Sequence, residues 1–212
     1  MESSENPEIW RPLMHWTAQP RWPLERIVAL PGRCRGVLLR DWAESCQRRF
    51  GRDAPDLLRA TMGALGEALP DRPGQDDWLP AAVQVAVNDA IIDGYLHGNA
   101  AALEPLLRED AGRDLTRMHR ILARAMGPAA AYKRVQGLYR RIYDAGQVRA
   151  ESGDDGAQIT CLDAALFGNP TWRSLQMFGH RAALLILTGK DDAEVLGADA
   201  GPEGFAIRLR WR

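Results

Sequence analysis

Apolar and polar positions alternate most clearly in the last third of the chain. From Gly204 to Arg212, Phe205, Ile207, Leu209 and Trp211 alternate with Ala206, Arg208, Arg210 and Arg212. That period of two predicts a strand with one apolar and one cationic face. Gly146 opens the same unit, with one strand centred on Val148 and Ala150 and a second on Ile159 and Cys161. Gly153-Asp154-Asp155-Gly156 supplies the hairpin turn between them. Asn169-Pro170 pairs a helix cap with proline at the first helical position. Trp172, Leu175, Phe178, Ala182 and Leu185 then lie on one helical face, closed by Gly189-Lys190. A third strand holds Val195, and the loop Asp199–Gly204 leads into the last strand. This is a ββαββ unit, a four-stranded antiparallel sheet with one helix across it.

Upstream the period changes to that of helices. Ile27 to Leu30 is a short apolar segment stopped by Pro31-Gly32. From Arg33, the spacing Val37/Leu38, Trp42, Cys46, Phe50 predicts a helix stopped at Gly51, and Asp53-Ala54-Pro55 starts another reaching about Leu69. A third helix, capped by Asp76 or Asp77, runs from Trp78 to about Leu96; it is apolar nearly all round, as in a central buried helix. Further helices follow over residues 101–107 and 110–126, the latter with Leu115, Met118, Ile121, Leu122 and Ala125 on one stripe, and then around Val135, Leu138/Tyr139 and Ile142. The fold class is therefore α+β, a helical N-terminal two-thirds followed by the sheet. Residues 1–24 form an arm, and residues 25–212 one domain, helical over 25–145 and sheet over 146–212. The arm carries Trp10, Trp16 and Trp22, large rings expected to pack on the body or on a partner.

Composition narrows the function class. The formal net charge is −1, which gives no electrostatic case for nucleic acid or anionic membrane. The 27 basic residues are all Arg except Lys133 and Lys190, a bias expected of a GC-rich bacterial genome. Cys34, Cys46 and Cys161 are odd in number and widely spaced, as expected of reduced, buried thiols in a cytoplasmic protein. Met1-Glu2-Ser3-Ser4-Glu5-Asn6 is acidic and polar, unlike a secretory leader. No apolar run is long enough to span a membrane.

The sharpest chemical constellation is Asp89, Asp93 and His97, which at i, i+4 and i+8 would share a helix face. Imidazole with carboxylates suits a divalent transition metal, and a metal-dependent enzyme built on that face is the rival to a binding role. The plain alternative is the solvated or salt-bridged polar stripe of an apolar helix. His15, His97, His119 and His180 lack metal-site spacing, and no nucleophile elbow or phosphate loop is present. Cys34 between Arg33 and Arg35 is either an activated thiol or a cysteine starting a helix in a basic turn. Arg140, Arg141 and Arg149, with Arg208, Arg210 and Arg212, form either a solvated basic sheet face or a dock for an acidic partner.

Four segments carry a resemblance: residues 30–36 (LPGRCRG), 88–95 (NDAIIDGY), 138–146 (LYRRIYDAG) and the Gly204-Phe205…Arg210-Trp211 end. They resemble an uncharacterised family abundant in myxobacteria. That family is similar in turn to the superfamily of haem nitric-oxide-binding domains, 4-vinyl-reductase ligand-binding domains and a vesicle-tethering subunit that buries an acyl chain. The resemblance implies a pocket between the helices and the sheet, able to hold a small apolar molecule, and no chemistry of its own. Tyr95, Tyr139, Tyr143, Trp172 and Phe178 would face the sheet there, as filled core or as the wall of a ligand cavity. Haem-binding members use a Tyr-x-Ser-x-Arg motif with a proximal His. Tyr132-Lys133-Arg134-Val135-Gln136 and Tyr139-Arg140-Arg141-Ile142-Tyr143 both lack it, so no haem and no other cofactor is expected. The expected role is a non-catalytic sensor or adaptor that binds a small apolar ligand, a protein partner or a second copy of itself.

Overall fold

The computed structural model describes residues 9–114 and 117–211. The first part comprises strand β1 (Arg11–Pro12), helices α1 (Leu13–Thr17) and α2 (Leu24–Val28), and strand β2 (Arg33–Arg35). Helices α3 (Trp42–Phe50), α4 (Ala54–Thr61) and α5 (Ala64–Glu67), strand β3 (Trp78–Pro80) and the long helix α6 (Ala81–Tyr95) follow. Helices α7 (Leu103–Asp114), α8 (Arg117–Tyr132) and α9 (Val135–Ile142) complete the helical part. Strands β4 (Gln147–Ser152) and β5 (Gly156–Leu162), helix α10 (Pro170–Thr188), and strands β6 (Glu194–Asp199) and β7 (Phe205–Arg210) close the chain.

The α+β class and the ββαββ unit are as the sequence predicts. Asn169 caps α10, its side chain accepting from the Trp172 amide at 2.8 Å, and Gly189 ends the helix in the left-handed conformation, φ 75°. Every strand pair is antiparallel, and Val148↔Cys161, Ile159↔Ile207 and Val195↔Leu209 set the register. That register puts Val148, Ile159, Cys161, Phe205, Ile207, Leu209 and Val195 on one buried face. The cationic face of β7 looks outward: Arg210 is exposed beside Glu194, and Arg208 lies over the Trp10 ring at 3.9 Å. Arg212 and Met1–Asn6 fall outside the described residues.

The arm adds a fifth strand to the sheet, whose order is β1-β6-β7-β5-β4. Arg11 pairs with Gly197 and Pro12 with Leu196. One turn later Trp16 enters the core, 1% exposed, edge-on to Phe205 at 4.9 Å. Gly197 makes the space, since a Cβ there would lie 2.5 Å from Trp16 Nε1 and 2.7 Å from the Phe205 ring. Proline suits an edge strand, where its missing N–H breaks no ladder.

The helix expected from Arg33 is instead a strand, a 3-10 turn and a later helix. Residues 33–35 pair with Trp78–Pro80, and the Gly36 amide donates to Asp77 O at 2.8 Å. Tertiary pairing overrides helical spacing there, so the third helix starts at Ala81 rather than Trp78. Gly63, at φ 55°, divides the helix expected to reach Leu69 into α4 and α5. Gly127, at φ 74°, breaks α8 just before Pro128. Leu115, and the side chains of Met118, His119, Ile121 and Leu122, fall outside what is described, and with them most of the expected stripe.

If the arm belongs to the core, Trp16→Ala should cost about 3–5 kcal/mol in equilibrium denaturation. Ile9→Ser, at a site 67% exposed, should stay within about 0.5 kcal/mol. A Trp16→Ala cost as small as that of Ile9→Ser would show the arm to be a dispensable attachment.

Candidate functional site

A cavity of about 420 Å³ lies between the helical part and the inner face of the sheet. Helix α9 contributes Val135, Leu138, Tyr139 and Ile142, and the sheet contributes Val148, Ile159 and Cys161. Helix α10 crosses the sheet and presents Leu175, Gln176, His180 and Ala183, while Gln84 and Asn88 come from α6. The apolar spacing of α9 and α10 and the two-residue period of β4 and β5 thus converge on one space. Among the described residues no Asp, Glu, Lys or Arg lines it.

The polar groups that reach it are already hydrogen-bonded. Tyr143 Oη donates to Gln84 Oε1 at 2.8 Å and accepts from Gln176 Nε2 at 3.4 Å. Tyr139 Oη donates to Ala145 O at 3.4 Å. Burial pushes both phenols well above their ordinary range, so they stay protonated. Desolvation lowers the half-buried His180 to about 4, leaving a neutral imidazole at pH 7. Its Nδ1 is 3.3 Å from Tyr132 Oη, and the Tyr132 ring stacks on Trp211 at 5.6 Å. Burial likewise raises Cys161, to about 12, so its thiol is a neutral wall atom.

Of the five aromatic residues singled out from the sequence, Tyr139 and Tyr143 line this cavity, stacked at 4.7 Å. Trp172 is fully buried behind them, 6.3 Å from Tyr143 and 4.8 Å from Phe167. Phe178 is in a separate apolar cluster with Ile92, Leu103 and Leu175. Tyr95 stacks on Phe50 at 4.3 Å, beside a different cavity. Sequence reasoning missed Gln84, Gln176 and His180 as lining residues. Their signal was polar residues on the otherwise apolar faces of α6 and α10.

The Asp89, Asp93, His97 face is not assembled as its spacing suggested. Helix α6 ends at Tyr95, and His97 lies beyond it at φ 52°. Among the described residues no three His, Cys, Asp or Glu side chains are placed to hold a metal ion. Asp89 is buried, accepting from Thr171 Oγ1 of α10 at 2.6 Å. Arg21 of the arm spans both carboxylates, 3.7 Å from Asp89 Oδ1 and hydrogen-bonded to Asp93. Cys34 sits in β2, not at a helix start, and burial raises its thiol to about 12. The activated-thiol reading of Cys34 is thereby corrected: desolvation, reinforced by the Asp144 carboxylate, disfavours the thiolate.

No protein-family model matches the chain, and no curated protein matches it. Two solved structures are similar in fold. One is an Fe(II) unliganded H-NOX protein point mutant from K. algicida, with TM-score 0.50 and 7% identity, covering 83% of this chain and 95% of that one. The other comes from work on haem distortion in the H-NOX family, with TM-score 0.45 and 5% identity, covering 84% and 95%. The first shows that the chain has an H-NOX-like fold; the second is too distant to add to it.

Asp89 yields a pH signature. Desolvation is the largest influence on it and lifts its pKa to about 6, opposed by Thr171 and Arg21. The folded state therefore holds this proton more tightly than the unfolded chain, whose Asp titrates near ~4. The stability it contributes is fully present below about pH 4 and is lost as pH rises through about 6. In denaturation across that window, Asp89→Asn should remove this decline; an unchanged pH profile would show that Asp89 is not held in a desolvating site.

Proposed function

We infer that this chain is a non-catalytic binding domain that takes up a small, uncharged, mainly apolar molecule between α9, α10 and the sheet. The reading takes residues 25–212 as one ligand-binding unit, with the arm packed on it through Trp16. The observation that carries it is the cavity itself: about 420 Å³ with, among the described residues, no ionisable lining group other than His180, Cys161 and the two tyrosines. Each of those is held neutral by burial. Interiors ordinarily pack without voids of this size, and a concave apolar space with a few fixed polar groups is the usual form of a small-molecule site. The Gln84–Tyr143–Gln176 chain supplies orientation. The H-NOX-like fold supports the same location, since the space lies between the helices and the sheet.

The lining does not suit haem. Haem carries propionate carboxylates, and among the described residues no Arg or Lys lines the cavity. The imidazole among its described lining residues, His180, has Nδ1 directed at Tyr132, a hydroxyl partner unlike the carboxylate or carbonyl that orients a metal-bound histidine. Haem added to the purified protein should give no stoichiometric Soret band. A band lost on His180→Ala would overturn that statement.

Native mass spectrometry of freshly purified protein, with thermal shift against a panel of small neutral apolar compounds, tests the main reading. At 100-fold excess over Kd a ligand should add about 2.7 kcal/mol of stability. Ala183→Trp, which fills the cavity from α10, should abolish the shift. Retention of binding by a folded Ala183→Trp variant would place the ligand elsewhere and sink the assignment.

A further inference from the structure

A second cavity, of about 750 Å³, lies on the opposite side of α6, between the arm, α2 and α4. Its walls include Leu24, Ile27, Leu58, Met62 and Ala90, with Trp22 and Tyr95 contributing rings. Unlike the neutral cavity at the sheet, it has one charged end, where Arg21, Asp89 and Asp93 meet. Two carboxylates share one guanidinium there. Asp89 Oδ1 is engaged by Thr171 and Arg21. Asp89 Oδ2 is buried and has no hydrogen-bond partner among the described residues, and the residue as a whole is only 8% exposed.

An acceptor desolvated on one side and unpaired is costly, and far more so when it carries charge. The group that relieves it is a donor, and with two anions against one cation a positively charged donor is favoured over a neutral one. An ammonium has three donors and no acceptor. The adjoining apolar walls fit the carbon body of such a molecule.

We propose that the cavity between the arm, α2, α4 and α6 is a binding site for an amphipathic primary amine, its ammonium donating to Asp89 and Asp93 and its apolar body lying along Ile27, Leu58 and Met62. This site is separate from the cavity at the sheet and needs no ligand there. Because Arg21 and Trp22 belong to the arm, an occupant would touch the arm and the central helix at once.

The test compares three probes of equal chain length, octylamine, octanol and octanoate, by titration calorimetry and by fluorescence of the wall residue Trp22 at pH 7.5. Octylamine should bind at least tenfold more tightly than octanol, and octanoate more weakly than either. Asp89→Asn should weaken octylamine at least tenfold while changing octanol less than twofold. Leu58→Trp, which fills the apolar end, should abolish octylamine binding, and Ala183→Trp in the other cavity should leave it unchanged. If Asp89→Asn does not fold, Asp93→Asn replaces it and should weaken octylamine at least threefold. Equal binding of octylamine and octanol, no binding of octylamine, or octylamine binding indifferent to both Asp variants would each overturn the proposal. Loss of octylamine binding in Ala183→Trp but not in Leu58→Trp would assign the amine to the sheet cavity instead, also against it.

Discussion

One buried arginine ties the start of α10 to the turn before it and to the connection between β6 and β7. Arg173, in the first turn of α10, donates from Nε to Phe167 O at 2.6 Å, from Nη1 to Asp199 Oδ1 at 2.7 Å and from Nη2 to Gly204 O at 3.0 Å. These acceptors lie before α10, at the end of β6 and at the start of β7. The guanidinium also sits 5.2 Å from the Trp16 ring and 5.1 Å from Phe205. Burial lowers its pKa from the free value, while Asp199 acts in the opposite sense. Such a charge is tolerated inside a protein only when its donors are satisfied. Here, satisfying them fixes the angle of α10 over the sheet, and that angle determines which side chains of α10 face the cavity.

Helix α6 is the second organiser, and it separates two unlike environments. Its Gln84 and Asn88 reach the neutral space at the sheet, whereas Asp89 and Asp93 point to the charged end of the space under the arm. Adjacent residues Asn88 and Asp89 therefore serve opposite sides of one helix, as a turn of 100° per residue permits. Apolar residues fill most of the rest of its surface, so its four polar positions mark the places where the core is interrupted.

Much of the fold was legible because its signals were local. Asn169-Pro170, Gly189, the Gly153–Gly156 turn and the two-residue period of β7 each depend on nearby residues, and each holds. What failed depended on partners distant in sequence. Arg33–Arg35 has a helical spacing after it, but the backbone of Trp78–Pro80 claims it as a strand. Arg11-Pro12 gives no sign of being a strand until β6 is beside it. The candidate site divided the same way: Tyr139 and Tyr143 follow from the face of α9, whereas Trp172 and Phe178 share α10 with the lining residues yet turn away from the cavity. Cys34 misled for an electrostatic reason, since sequence shows the adjacent arginines but neither the desolvation of the thiol nor the approach of Asp144.

The pairing of β1 with β6 has a consequence for how the chain is made. The arm is synthesised before its partner strand, so the sheet cannot be completed until β6 and β7 have been made. Until then Trp16 has neither the notch at Gly197 nor the edge of Phe205 to occupy, and the edge of β6 is uncovered. Pairings between distant segments form slowly because a long loop must close before any contact rewards it. The arm therefore acts as a clasp that shuts only once β6 and β7 have been made.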